Sequence, residues 1–233
     1  MLEQILVWER DLFLTLNGCH TPYWDEVMWL YSGKAVWLPL AVFIILVLAY
    51  KKNWKEVLFI LLGIALTITL CDQFASGICK PLFHRFRPTH HPDFMDAVKT
   101  VFDYRGGRYG FISSHAANAF GFAMFMTLLL RNKLLGITLF IWATINAYTR
   151  IYLGVHFISD IIPGMLSGLL FGFVAYHIYM WARYHFLSAS VCPFLSDPSY
   201  MYQGKRVQAI TIAVWLMFVF LLCFSGVLIS FIR

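Results

Sequence analysis

Six stretches of this chain, at 29–50, 57–79, 116–130, 134–149, 161–182 and 209–232, run almost free of charge, broken only by Lys34 and Asp72. Runs of this kind decide the solvent before they decide the fold, because water would have to cover far more apolar surface than a domain can hide. Charged residues make up 13% of the chain, whereas a soluble domain carries about a quarter. The class that fits is all-α: a polytopic membrane bundle of six transmembrane helices, each closing its own backbone hydrogen bonds in lipid. The stretches 116–130 and 134–149 are shorter than a span of about 20 residues. They must recruit the polar residues at one end, which puts those residues at or just inside the interface.

Ahead of the first span, Leu2, Ile5, Leu6, Leu12, Phe13 and Leu16 fall near helical spacing. Residues 2–17 therefore read as an amphipathic helix lying in the interface, with Glu9 spoiling its apolar face. A basic leader and a small-residue cleavage site are absent, so the stretch does not read as a signal peptide. A turn follows from Asn17-Gly18 to Pro22. Gly164, Gly168 and Gly172 place small residues on one face of the fifth span, with Ala117 and Gly121 doing the same in the third; these are packing signals. His177 reads as a helix–helix hydrogen-bonding residue. Asp72, a carboxylate inside a span, reads either as functional or as the group that orients a nearby cation. The five cysteines are scattered and show no metal-ligand spacing, and Cys71, Cys79 and Cys223 read as small membrane-core residues.

The formal charge of +6 is spread between the apolar segments, so nucleic acid is not an expected partner; topology and an anionic ligand account for it. Lys51-Lys52-Asn53-Trp54-Lys55 follows the first span, and mostly acidic residues precede it. The positive-inside rule puts that cluster in the cytoplasm, with both termini and the polar motifs outward.

Three polar clusters carry the chemistry. In the stretch from Thr149 to Asp160, His156 and Asp160 lie four apart and would share one face of a helix beginning near His156. A carboxylate on one imidazole nitrogen fixes the tautomer and frees the other as base, ligand or nucleophile. Arg150 can bring a planar cation to an anion there. A boundary arginine beside a helical polar pair explains this stretch, taken alone, equally well. The second cluster, Lys80-Pro81-Leu82-Phe83-His84-Arg85-Phe86-Arg87-Pro88, puts cations directly after a span; they are either a snorkelling collar or the partners of an anion. The third, Gly110-Phe111-Ile112-Ser113-Ser114-His115, runs into the third span. Serines there are ordinary N-caps, and the same free N–H groups and hydroxyls bind phosphate. His115 can supply or remove a proton.

Taken together the clusters resemble the type-2 phosphatidic acid phosphatase superfamily. Lys80 with Arg87-Pro88 matches its Lys-x6-Arg-Pro element, Ser113-Ser114-His115 its Pro-Ser-Gly-His element, and Arg150, His156 and Asp160 its Ser-Arg-x5-His-x3-Asp element. The order is the family's, over roughly residues 20–182. Ile112, Ser114 and Thr149 depart from the pattern without removing a titratable group. The resemblance implies that His156 is the nucleophile, forming a phosphohistidine, and that Asp160 holds its other nitrogen. It implies that His115 protonates the leaving oxygen and then activates water. Lys80, Arg87 and Arg150, with Ser113, Ser114 and the backbone amides, would hold the equatorial oxygens, so no metal or other cofactor is expected. Arg85 lies outside the motif and reads as a headgroup contact or a surface cation. The glycine-rich loop Tyr104–Gly110 reads as a headgroup flap or a flexible connection.

The expected protein is an integral membrane lipid-phosphate phosphatase: one membrane domain, 1–233, with the interfacial helix at 1–20, the phosphatase core at 24–182, and a cytoplasmic loop and extra C-terminal span at 183–233. Its partners are the bilayer and a lipid phosphate: polyprenyl diphosphate, phosphatidylglycerol phosphate, phosphatidic acid or lipid A. In a bacterium it would sit in the inner membrane with its site toward the periplasm. Two rivals use the same pocket, a vanadate-dependent haloperoxidase and a lipid-binding or transport protein with a relic site. The apolar spans argue against the first and the retained histidines against the second.

Overall fold

Among the described residues, lipid-facing backbone is satisfied by helices alone, and no strand forms beyond one isolated bridge between Phe86 and Tyr109. The computed structural model describes residues 2–187, Pro198, Tyr202 and 204–232. The helices are α1 (Leu2–Asn17), α2 (Pro22–Ser32), α3 (Leu38–Ala49), α4 (Trp54–Asp72), α5 (Lys80–Phe83), α6 (Ser114–Leu130), α7 (Lys133–Tyr152), α8 (Ile158–Phe186) and α9 (Lys205–Ile232). A wider π turn, Gln73–Cys79, joins α4 to α5, making one rod from Trp54 to Phe83. Most of the expected loop at 183–206, including Cys192, lies outside the described residues.

Local chemistry starts these helices where the sequence supplies an acceptor. Thr21 accepts from Trp24 N at the head of α2, Asn53 from Lys55 N at α4, Ser113 from Ala116 N at α6 and Asn132 from Leu135 N at α7. Among the described residues, four helices are long and apolar enough to cross a membrane: Trp54–Phe83, Lys133–Tyr152, Ile158–Phe186 and Lys205–Phe231. Pro22–Ser32 and Ala35–Ala49 form a pair bent by 70°, a broken span or a re-entrant loop, so the candidate spans number four to five. The apolar α6, with 17 residues, is shorter. The expectation of one continuous span over 29–50 is thus corrected: Gly33, bonded back to Trp29 and Leu30, ends α2, and the chain turns before Pro39 starts α3. Hydropathy runs through that break unchanged, which is why the apolar pattern hides it.

The core is the pairing of α6 with α8, with α4 and α7 alongside. It depends on backbone approach: a Cβ on Gly168 would lie 2.3 Å from Ala117 O, and one on Gly172 2.4 Å from Gly121 O. The glycine stripe of α8 therefore faces the small residues Ala117 and Gly121 of α6. Outward, Leu46, Leu82, Leu166, Leu170 and Leu216 are exposed, as a lipid-facing surface requires. His177 packs on Phe173 and Tyr176 of its own helix rather than reaching across to another. At the end of the bundle away from the polar motifs, Arg183 Nε donates to both oxygens of Glu56 at 2.9 and 3.0 Å, and the Tyr179 hydroxyl donates to Glu56 at 2.8 Å.

The helix α1 forms over the expected residues and docks on α7 and α8. Its Phe13 is fully buried against Phe94 and Phe157. Asn17 at its end donates to Ile151 O, Tyr152 O and Lys99 O and accepts from Lys99 N. These contacts tie the long connection before α6 to the head of the bundle, where the three motifs lie.

Candidate active site

Chain turns, not helix interiors, bring the three motifs together. Gly110 marks the meeting point: a Cβ there would lie 3.0 Å from Asp160 Oδ2, 3.2 Å from Arg87 Cγ and 3.5 Å from His156 Nδ1. Gly110 N donates to Arg85 O and Arg87 N donates to Arg108 O, while Arg87 Nε donates to Tyr109 O at 3.1 Å. Gly106 (φ +66°) curls the loop so closely over Arg87 that a Cβ would stand 2.5 Å from its Nη1. Through these contacts the Tyr104–Gly110 loop forms a wall of the site.

His156 sits in the turn between α7 and α8, 1% exposed. Its Nδ1 faces Asp160 Oδ2 at 3.4 Å, and the same oxygen accepts from Phe157 N at 3.0 Å. The four-residue spacing thus produces the pair through the first turn of α8. Asp160 O accepts from Ser113 N at 3.0 Å, joining the third cluster to the first. Burial first, then Arg87, Arg150, Lys80 and Arg85, hold His156 well below its ordinary pKa of 6.5. The folded protein keeps this imidazole neutral, with its electron pair available.

That shift sets a pH dependence of stability. The unfolded chain protonates His156 near its ordinary value, about 6.5, and the folded chain does not. The stability that the neutral imidazole contributes is complete above the unfolded value and is lost as pH falls below it, toward the depressed folded value. Thermal melts between pH 7 and 5 should fall with acidification. His156→Asn should fall less, by up to about 1.4 kcal/mol per pH unit for the one proton removed. Identical slopes would show that His156 titrates normally.

The cations are arranged around this pair. Arg150, 2% exposed at the end of α7, donates from Nη2 to the Tyr104 hydroxyl at 3.3 Å and from Nη1 to Ser32 Oγ. Arg150 Nε and Arg87 Nη1 are buried donors with no protein partner. Two orphan guanidinium N–H groups in one site ask for an acceptor, and a tetrahedral oxyanion supplies several. Lys80 Nζ donates to Ser114 Oγ at 3.1 Å and Ser76 Oγ at 2.9 Å, which leaves one of its three protons. Ser76 in turn donates to Asp72 Oδ1 at 3.5 Å. Asp72 thus acts on Lys80 through Ser76, in keeping with the reading that it orients a cation. Ser113 Oγ accepts from Ala116 N at 3.4 Å as the cap of α6, and its own hydroxyl proton is left to donate.

His115 and Ser114 wall a cavity of about 310 Å³ that runs among α3, α4, α6 and α7, past Trp37, Ile44 and Leu139. His115 and Arg150 also wall a second, of about 480 Å³, beside Trp29 and Tyr104. Both cavities share Ser32, Gly33 and Lys34, the elbow between α2 and α3. A mostly apolar channel beside a cationic pocket suits a phosphate carried on a hydrocarbon chain.

Arg85, expected as a headgroup contact or a surface cation, is held internally instead. It donates to Asp160 Oδ1 at 2.7 Å, Ser159 Oγ at 2.5 Å and Glu9 Oε2 at 2.8 Å. Sequence reasoning missed Ser76, although Asp72-Ser76-Lys80 at intervals of four was a legible signal. It also missed Ser32 and Ser159, for which the sequence held none, and it marked Tyr104 only as part of the glycine-rich loop, not as a partner of Arg150. For Glu9 the signal was its place on an apolar face.

The family model of the PAP2 superfamily matches residues 56–184. The chain is 46% identical over 225 residues to a lipid A 4'-phosphatase of Porphyromonas gingivalis, covering 96% of this chain and 94% of that one. It is 39% identical to a lipid A 4'-phosphatase of Bacteroides thetaiotaomicron, over 76% of this chain and 80% of that one. Among solved structures it is similar to a transmembrane PAP2-type phosphatidylglycerolphosphate phosphatase from Bacillus subtilis, with TM-score 0.57 and 23% identity, covering 75% of this chain and 86% of that one. It is similar also to Aquifex aeolicus LpxE, with TM-score 0.50 and 26% identity, covering 71% and 92%.

Proposed function

We infer that this chain, which belongs to the PAP2 superfamily and is an integral membrane lipid phosphatase, removes the 4'-phosphate of a lipid A-type glycolipid through a phosphohistidine on His156. The observation that carries the mechanism is the pair of unpartnered buried guanidinium donors, Arg87 Nη1 and Arg150 Nε, in the site of a neutral His156. The two relatives at 46% and 39% identity support the substrate.

In this reading the phosphoryl oxygens lie against Arg87, Arg150, the free proton of Lys80, Ser114 and the amides at the head of α6, with Ser113 holding that head in shape. His156 attacks phosphorus in line, and Asp160 stabilises the imidazolium that results. His115, on the wall of both cavities, protonates the departing sugar oxygen. It then takes a proton from the water that opens the phosphohistidine. Fixed charges aimed at the equatorial oxygens supply most of the rate enhancement in phosphoryl transfer. The chain makes a single membrane domain: α1 lies in the interface, and α6 completes six spans. The Lys51–Lys55 cluster faces the cytoplasm, which sets the site toward the periplasm of a bacterial inner membrane.

The test is a substrate panel on purified protein in detergent: bisphosphorylated lipid A, undecaprenyl diphosphate, phosphatidylglycerol phosphate and phosphatidic acid. Lipid A should be favoured in kcat/KM by about 10-fold or more, the scale on which differential contacts discriminate, with mass spectrometry placing the loss at the 4' position. Preference for another lipid would overturn the substrate.

A further inference from the structure

We propose that Arg85 and Glu9 are positioning residues of the reaction: a carboxylate from the N-terminal helix and a guanidinium outside the three motifs together fix the Asp160 carboxylate behind the nucleophile. The inference rests on the phosphohistidine reading given above.

Asp160 is 0% exposed and carries partners on both oxygens. Oδ2 faces His156 Nδ1 and accepts from Phe157 N, whereas Oδ1 accepts from Arg85 Nη1 at 2.7 Å. A buried carboxylate with only an imidazole and one amide for company is poorly compensated. Arg85 supplies the matching charge from the face opposite His156. The guanidinium is itself fixed. Its Cζ lies over the Phe157 ring, 4.8 Å from the centroid, and that ring packs on Phe13 and Phe94. Its Nη2 donates to Glu9 Oε2 at 2.8 Å.

Glu9 then closes a ring. Its Oε1 accepts from Ser159 N at 3.0 Å and from Ser159 Oγ, and Ser159 is the second residue of α8. Free amides at a helix start need acceptors, and here the acceptor comes from another helix. The circuit runs from Glu9 to Arg85, to Asp160, along the first turn of α8 to Ser159, and back to Glu9. It leaves the Asp160 carboxylate one orientation, which is the one that aims the His156 ring. Glu9 and Arg85 touch no atom that reacts.

Full-length protein in detergent, assayed by phosphate release from the favoured lipid, tests this, with kcat expressed per vanadate-binding site. Arg85→Gln should lower kcat by about 100-fold, less than the roughly 10⁴-fold loss known when a triad aspartate is disabled. KM and the vanadate Ki should change less than about 3-fold, because the oxyanion cradle is untouched. Arg85→Lys should recover part of the loss, since an ammonium reaches one of two carboxylates but lacks the fork. Glu9→Gln should cost about 10-fold in kcat, and the double variant should be no worse than Arg85→Gln alone.

A raised KM or Ki with kcat retained would make Arg85 a headgroup contact and overturn the inference. So would unchanged kinetics in both single variants, or strictly additive losses. Where Arg85→Gln does not yield folded protein, Glu9→Gln and Arg85→Lys decide by the same kcat and Ki criteria. His156→Ala is run alongside: activity retained in that variant sinks the phosphohistidine reading. An inactive His156→Ala beside fully active Arg85 and Glu9 variants sinks only the positioning role.

Discussion

His156→Ala should reduce phosphate release from the lipid substrate by about 10⁴-fold or more, about 5.5 kcal/mol in the barrier. The variant keeps Lys80, Arg87 and Arg150, so it should still bind substrate and orthovanadate; what it loses is the atom that takes the phosphoryl group. Losing a nucleophile removes the covalent route altogether, whereas losing one cation removes a share of the charge stabilisation. Wild-type enzyme quenched during turnover should carry acid-labile phosphate, and the variant none. Equal release by the two proteins would rule out the covalent mechanism.

Glu56→Ala should produce the largest loss of stability, about 3–5 kcal/mol, because it removes the buried carboxylate that the Arg183 guanidinium and the Tyr179 hydroxyl share. Glu56 and Arg183 are each 0% exposed, and Tyr179 shares the same carboxylate. They stand near the start of α4 and the end of α8, about 35 Å along the rod from Lys80 at the helical rise. Thermal melting in detergent should drop sharply while kcat of the folded fraction stays near wild type. Replacing both partners by leucine should restore most of the loss, since an apolar pair leaves no charge to bury. An unchanged melting midpoint in Glu56→Ala would show that the pair contributes nothing.

What the sequence discloses here follows the range over which its signals act. Apolar runs and motif spacings are local, so the helices α4, α6, α7, α8 and α9 and the pairing of His156 with Asp160 could be read from residues a few positions apart. The glycine stripe on α8 and its partner face on α6 were legible for the same reason. Glu56 with Arg183 is separated by 127 residues and Glu9 with Arg85 by 76. Nothing in either neighbourhood marks its partner, because each pair exists only once the helices have packed. Glu9 looked like an error in an amphipathic face. The elbow at Ser32-Gly33 escaped for a different reason, since hydropathy averages over a bend. That elbow also sends Ser32 to Arg150, a contact across 118 residues that no motif encodes.

The docking of α1 has a practical side for anyone preparing this protein. A helix ahead of the membrane spans invites trimming, or replacement by a purification handle, on the assumption that the enzyme begins after it. Here such a truncation would remove the Phe13 plug, the Asn17 clasp and the Glu9 carboxylate in one cut, and the catalytic head would be left with its scaffolding taken down. Handles belong at the other end of the chain.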